Sequence, residues 1–393
     1  MHNIEKIQYI CKNKQRMAII INPFIVAGKI PAKYFCDRKE ESKRLIDCIE
    51  NQENVVLISP RRMGKSKLID YCFDKSDIRN NYYTLQADIL QTTSLQEFIQ
   101  VLGSVVYKQL ARRSEQLFRL FAATLRSLSA SFGFDPIQNT PTFDIKLGDI
   151  TAPEYSLEEI FNYIEKADKR CVIAIDEFQQ ITNYAEKNVE AILRTRIQRC
   201  SNANFIFAGS RRRILNEMFL SNKRPFYQSA SLIQLNAIPK ETYLKFVKKH
   251  FTDGQKDIEK EAVLNVYNTF EGVTYYMQRI MHDCFMEVRS HEVCTETLTK
   301  KITQRFVQEN DTRLREMMSF ISEQQKALLY AICKEGTARQ ITSASFVRNH
   351  NLRSQSSVQS AVKRLLEYDL ITGQEHQYRI SDPLLSLWIQ NER

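Results

Sequence analysis

The chain has 393 residues, too long for one ordinary domain and suited to two or three. Hydrophobic residues make up 43% and charged residues 26%, ordinary globular values that exclude a wholly disordered chain. Lys and Arg number 56 against 46 Asp and Glu, and the net charge of +10 points to a polyanionic partner: nucleic acid, nucleotide phosphate or an anionic membrane surface. Nine scattered cysteines form no CxxC and no zinc spacing, so they read as reduced, mostly buried thiols of a cytoplasmic protein. No apolar run reaches the ~18 residues of a membrane span, so no membrane partner is expected.

In chain order, residues 17–28 form a short apolar stretch after a basic start. The stretch contains Asn22 and Pro23 and lacks a small-residue cleavage site. It reads as a strand leading into the first domain rather than a signal peptide, with Met17 as an alternative start. Short apolar runs at 55–59, 82–89, 171–175 and 204–208, and a fifth at 231–235, read as buried strands. Helical patterns such as 94–113 and 157–167 separate them. Strands alternating with helices imply parallel βαβ units and a sheet covered on both faces, an α/β fold. Residues 132–153 interrupt the alternation with Gly133, Pro136, Pro141, Gly148, Pro153 and a period-2 pattern from Thr142 to Leu147, which reads as a hairpin-like insertion. Beyond Pro239 the chain is mainly helical, at 240–251, 256–270, 274–288 and 296–320. A last unit opens near Ser322.

Residues 59–66, Ser59-Pro60-Arg61-Arg62-Met63-Gly64-Lys65-Ser66, match GxxxxGK[ST] except at the first glycine. A strand precedes them and a helix over 66–73 follows. Backbone N–H groups of such a loop, aided by the helix dipole, point at phosphate oxygens. Gly64 allows close approach, Lys65 would reach the β- and γ-phosphates, and the Ser66 hydroxyl would ligate Mg2+. The nucleotide-binding set is therefore Ser59 through Ser66 together with Lys67. At 172–177 an apolar strand ends in Asp176-Glu177, where Asp176 would hold Mg2+ through water and Glu177 would activate the attacking water. A third strand runs into Gly209-Ser210. Ser210 would either sense the γ-phosphate beside Glu177 or serve only as the N-cap of the next helix.

Together with Tyr34-Phe35-Cys36-Asp37-Arg38-Lys39-Glu40-Glu41, Ile175-Asp176-Glu177-Phe178-Gln179, Phe207-Ala208-Gly209-Ser210 and Arg224-Pro225-Phe226-Tyr227, these motifs mark a family. The chain resembles the archaeal-type and Bacteroidetes AAA+ ATPases of the STAND-related group, relatives of the origin-recognition initiator ATPases. The likeness runs over roughly residues 30–390. It implies a P-loop AAA+ domain with a five-stranded parallel sheet, a helical lid and a C-terminal winged helix, with ATP and Mg2+ as cofactors. The family often replaces the first glycine of the loop, so Ser59 should not abolish binding. Departures also matter. Where the family's lid carries Gly-x-Pro-x-Tyr, this chain has Gly272-Val273-Thr274-Tyr275-Tyr276, with no second-sensor arginine except Arg279 one turn on. Gln228 stands where many relatives place an arginine, which puts a trans-acting finger at that position in doubt. Arg224 is then a possible arginine finger, while Arg211–Arg213 read as a solvated basic face or a finger. Arg38 would contact the nucleotide or pair with Glu41.

Residues 322–388 read as the winged helix. Leu328, Leu329 and Ile332 face inward on a first helix, and Phe346, Val347 and Leu352 on a second. Val358, Ala361, Val362, Leu365 and Leu366 do so on a third, which opens with a capping box at Ser356–Gln359. Wing strands are expected at 370–372 and 377–380. Gln355, Ser360, Lys363 and Arg364 lie on the exposed side of the third helix and are possible contacts to double-stranded DNA. Docking of a protein partner, or self-association, is the alternative. Tyr275, Tyr276 and Trp388 are expected in cores. The expected domains are 1–30, an N-terminal extension; 31–238, the ATPase domain with its insertion near 132–153; 239–320, the lid; and 321–393, the winged helix. The expected function is Mg2+-dependent, slow ATP hydrolysis that switches conformation, either in association with DNA or as a signalling scaffold.

Overall fold

The computed structural model, which describes residues 22–135, 140–374 and 376–392, shows why the apolar runs are strands. One compact unit, Lys29–Ala237, carries β1 (Val55–Ile58), β2 (Tyr82–Asp88), β3 (Phe132–Asp135), β4 (Thr140–Phe143), β5 (Arg170–Asp176), β6 (Ala203–Gly209) and β7 (Ser231–Gln234). Five of these form a parallel sheet in the order β2-β5-β6-β1-β7. Side chains alternate between two cores. Val55, Leu57, Val172, Ala174, Ile206 and Ala208 pack on Leu45 and Ile49 of helix Lys39–Glu50 and on Leu68 and Ile69 of helix Lys65–Phe73. Val56, Ile58, Ile173, Ile175, Phe205 and Phe207 face the opposite layer, built from helices Leu95–Gln109, Pro153–Glu165, Val189–Arg199 and Arg212–Leu220. The three central strands β1, β5 and β6 are buried on both faces and have almost no polar position to spare, which is why they read as continuous apolar runs, whereas the edge strands β2 and β7 are only partly buried.

The insertion is an antiparallel hairpin, β3 paired with β4. Phe132 and Phe143 join Phe121, Tyr107 and Tyr163 in an aromatic cluster, with Phe121 and Phe143 4.8 Å apart. The helical pattern at 94–113 resolves into Leu95–Gln109 and a short turn, Ala111–Arg113, with Ser94 accepting from Glu97 N at the start.

The second unit comprises residues from Ile238 onward together with the described residues up to Gly28. The expectation of a strand at 17–28 is corrected: residues 1–21 lie outside the described ones, and 22–28 form no strand. Phe24 is instead fully buried among Phe246, His250, Phe251 and Phe285 of the helical layer. Asn22 Nδ2 donates to His282 O (2.9 Å), and His282 Nδ1 lies 2.8 Å from Phe24 O. The helices are Lys240–Asp253, Lys260–Thr269, Thr274–Glu287, Glu296–Glu309 and Asp311–Ser319. The long helix expected at 296–320 breaks because Asn310 turns its side chain back onto Phe306 O (2.8 Å).

The winged helix has helices Glu323–Glu335, Ala344–Asn349 and Gln355–Glu367, the wing strands Ile371–Gln374 and Gln377–Ile380, and a closing helix Pro383–Asn391. The capping box is not at Ser356 but at the first helix, where Ser322 and Gln325 bond reciprocally. The third helix starts two residues earlier than the box implied, capped by Ser354. The helices from Lys240 to Ser319 and the winged helix share one unit, linked by Tyr276 Oη to Asp382 (2.7 Å) and Trp388 Nε1 to Asp311 (2.8 Å). Tyr276 and Trp388 are buried as expected, whereas Tyr275 is 40% exposed.

Candidate active site

The site lies at the carboxyl ends of β1, β5 and β6, where the strand order reverses about β1. β1 runs into Ser59, 1% exposed, whose N–H donates to Gly209 O at the end of β6 (3.3 Å). The loop then turns through Arg62 (φ 66°) and Gly64 (φ 88°) into helix Lys65–Phe73. A Cβ on Gly64 would meet nothing within 4 Å, so the left-handed backbone, not crowding, requires glycine there. Pro60, Arg61 and Arg62 are exposed, Met63 is buried, and Lys67 pairs with Asp70 (3.0 Å).

The polar residues then converge. Lys65 Nζ, nearly buried, sits 2.5 Å from Asp176 Oδ1 and 3.1 Å from Glu177 Oε1. Ser66 Oγ donates to Asp176 Oδ2 (2.6 Å). Ser210 Oγ donates to Glu177 Oε2 (2.9 Å), and Gln179 Nε2 donates to the same oxygen (2.5 Å). Burial opposes the charge on Asp176 and Glu177. The Lys65 ammonium and these hydrogen bonds outweigh it, and both carboxyls are held below their ordinary range. Asp176 ends β5, and Glu177 follows in a left-handed conformation (φ 55°), which swings its carboxylate toward Lys65 and Ser210. Phe178 anchors that turn against Phe207 (4.6 Å) and Phe226 (5.2 Å). Helix Arg212–Leu220 has Arg211 at its N-cap position with no side-chain cap. The hydroxyl of Ser210 thus goes to Glu177 and not to the helix start.

Arg38 is 5% exposed and engaged on three sides: Glu41 (3.0 Å), Asn236 O (2.7 Å) and Met63 O (3.3 Å). The pairing with Glu41 is the one observed, and the same guanidinium ties the loop to the segment after β7. Arg224 pairs with Glu190 and lies 3.8 Å from Glu217. Arg212 and Arg213 are exposed. In the other unit, Arg279 pairs with Asp283 (3.0 Å). Gln355, Ser360, Lys363 and Arg364 are exposed on one helix, Arg364 beside Glu367 (2.9 Å). Sequence reasoning gave no role to Gln179, Glu190 or the Arg38 carbonyl contacts. The signals for Gln179 are its place two residues beyond Glu177 at a strand end and its position closing the Ile175–Gln179 motif.

A nearly buried ammonium between two ionised carboxylates, beside a helix N-terminus and two hydroxyls, is chemistry suited to a phosphate chain. Two family models match the chain. One, described as "ATPase domain predominantly from Archaea", covers residues 35–280. The other, described as "Probable winged helix domain", covers residues 312–391. Among solved structures, a Walker-type ATPase of Pyrococcus abyssi superposes with a TM-score of 0.66 at 17% identity, over 94% of this chain and 99% of that one. The ORC2 protein of Aeropyrum pernix, solved as ADPNP–ADP complexes, gives 0.58 at 13% identity, over 94% and 98%. A comparison with curated proteins gave no match. No helix among the described residues is long and apolar enough to cross a membrane. With its model matching well over half of the chain, the protein belongs to the family of ATPase domains found predominantly in Archaea, and it is a nucleotide-binding ATPase.

Proposed function

We propose that the protein binds ATP with Mg2+ at the Ser59–Lys67 loop, hydrolyses it slowly, and uses the cycle as a switch for a winged helix that contacts double-stranded DNA. The observation that carries the first part is Lys65 held between Asp176 and Glu177, with Ser66 on Asp176. On this reading Lys65 moves onto the β- and γ-phosphates, the loop N–H groups hold the remaining phosphate oxygens, and Ser210 turns to the γ-phosphate. Glu177 takes a proton from water while the water oxygen bonds to the γ-phosphorus and the bridging oxygen leaves with ADP. Ser66 and Asp176 present adjacent hard oxygens, 2.6 Å apart, the donor set that suits Mg2+. Bound there, Mg2+ would neutralise charge on the phosphates. Turnover is slow because Arg224 and Arg279 are each engaged by carboxylates of their own unit, which leaves less positive charge for the transition state.

The DNA part rests on the exposed polar row Gln355, Ser360, Lys363 and Arg364 on one helix. Two measurements test the proposal. Phosphate release and ATP binding should both be lost in Lys65→Ala; normal hydrolysis by that variant would overturn the site assignment. Duplex binding should weaken steeply with salt and fall in Lys363→Glu plus Arg364→Glu. Binding that is flat across salt and unaffected by the charge reversal would replace DNA with a protein partner, and light scattering with and without ATP would report self-association.

A further inference from the structure

Gln179 is a 3% exposed side chain at the heart of the site. Its Nε2 donates to Glu177 Oε2 at 2.5 Å. The carboxylate settles the orientation of the amide, since the reverse would set two oxygens against each other. The amide oxygen is therefore left buried without a hydrogen-bond partner. Oε1 lies against Gly209, where a Cβ would come within 2.0 Å of it and within 2.7 Å of Leu215 Cδ1. Any side chain at 209 would push the amide off Glu177. The backbone delivers Gln179 to this place: Glu177 is left-handed, Gln180 N donates to Glu177 O (2.8 Å), and the turn Phe178–Asn183 folds back beneath the carboxylate. A buried amide that leaves its acceptor unmet calls for an explanation, and here the donor is the half in use.

We propose that Gln179 is a positioning residue for ATP hydrolysis, which tethers Glu177 Oε2 so that Oε1 stays directed at the phosphate edge, with Gly209 as the glycine that makes room for it. The inference rests on the reading of Glu177 as the group that activates water. In that reading Lys65 and Ser210 leave the carboxylate for the phosphates when ATP binds. Gln179 cannot follow, and it alone keeps its hold on Glu177 through the reaction.

The test uses the full chain and measures ATP affinity with a fluorescent ATP analogue and kcat and KM by phosphate release. Gln179→Leu should lower kcat about tenfold or more while leaving affinity and KM within about twofold. Gly209→Ala should shift kcat in the same direction. Placed on Glu177→Gln, Gln179→Leu should change the residual turnover less than twofold, because the two residues act as one unit. If Gln179→Leu loses its cooperative melt, Gln179→Met offers similar length and flexibility, and the same loss of kcat is expected. Unchanged kcat, or an equal loss on the Glu177→Gln background, would overturn the positioning role. Wild-type turnover by Glu177→Gln itself would instead overturn the parent reading.

Discussion

Glu177→Gln should bind ATP more tightly than the native protein while nearly losing turnover. In the structure Glu177 Oε1 holds Lys65 at 3.1 Å, and Asp176 holds it at 2.5 Å. On the proposed reading, ATP draws Lys65 away from both. The Lys65–Glu177 pair is largely but not fully buried, at 7% and 18% side-chain exposure, and Lys65 keeps Asp176 when Glu177 is neutralised. A pair of that kind contributes about 1 kcal/mol, between the exposed and fully buried cases. Removing the charge therefore lowers the barrier to exchange by about that amount, roughly a fivefold tighter Kd. The same change should cost the nucleotide-free domain about 1 kcal/mol, or about 2–4 °C of melting temperature. Saturating ATP should erase that difference, because the pair is already broken in the complex. On the proposed reading that Glu177 accepts the water proton, its loss should lower kcat by about a hundredfold or more. Equilibrium titration, single-turnover phosphate release and melts with and without ATP measure the three quantities. A folded variant that binds ATP more weakly would refute the competition between Glu177 and phosphate for Lys65.

Two further outcomes follow from burial. Arg38→Met keeps the apolar stem but leaves the carbonyls of Met63 and Asn236 and the Glu41 carboxylate without their donor, so the domain should lose about 2–3 kcal/mol, read by denaturant or thermal melts; a loss below about 0.5 kcal/mol would contradict the clamp. Burial also pushes the thiols of Cys36, Cys72 and Cys171 up to about 12. A raised value keeps the neutral thiol, so at pH 8 about one part in ten thousand of each is thiolate, and an aromatic disulfide reagent should label these three buried cysteines only after unfolding.

The fold was legible to the extent that it was local. The five sheet strands lie within a residue or so of their apolar runs, and Ser59–Ser66 and Asp176–Glu177 meet as their order along the chain implied. Strands buried on both faces and a glycine-bearing turn before a helix leave their marks in consecutive residues. The split at Asn310 was missed because a helix break made by one side chain bonding its own backbone leaves the apolar period intact on both sides. The capping box was misplaced because serines stand at 354, 356 and 357, and only the backbone decides which one caps.

Sequence alone thus determined the α/β class, the phosphate loop, the acidic strand end and the winged helix. Tertiary structure alone decided the partners of each charged group: Arg38 on a carbonyl nearly two hundred positions away, Arg224 on Glu190, Phe24 in the helical layer, and Gln179 against Gly209 beneath Glu177. Elements follow from periodicities of two and 3.6 that neighbours in the chain enforce. Pairings between distant residues follow from strand register and layer packing, which bring together groups whose spacing in the chain carries no period to read.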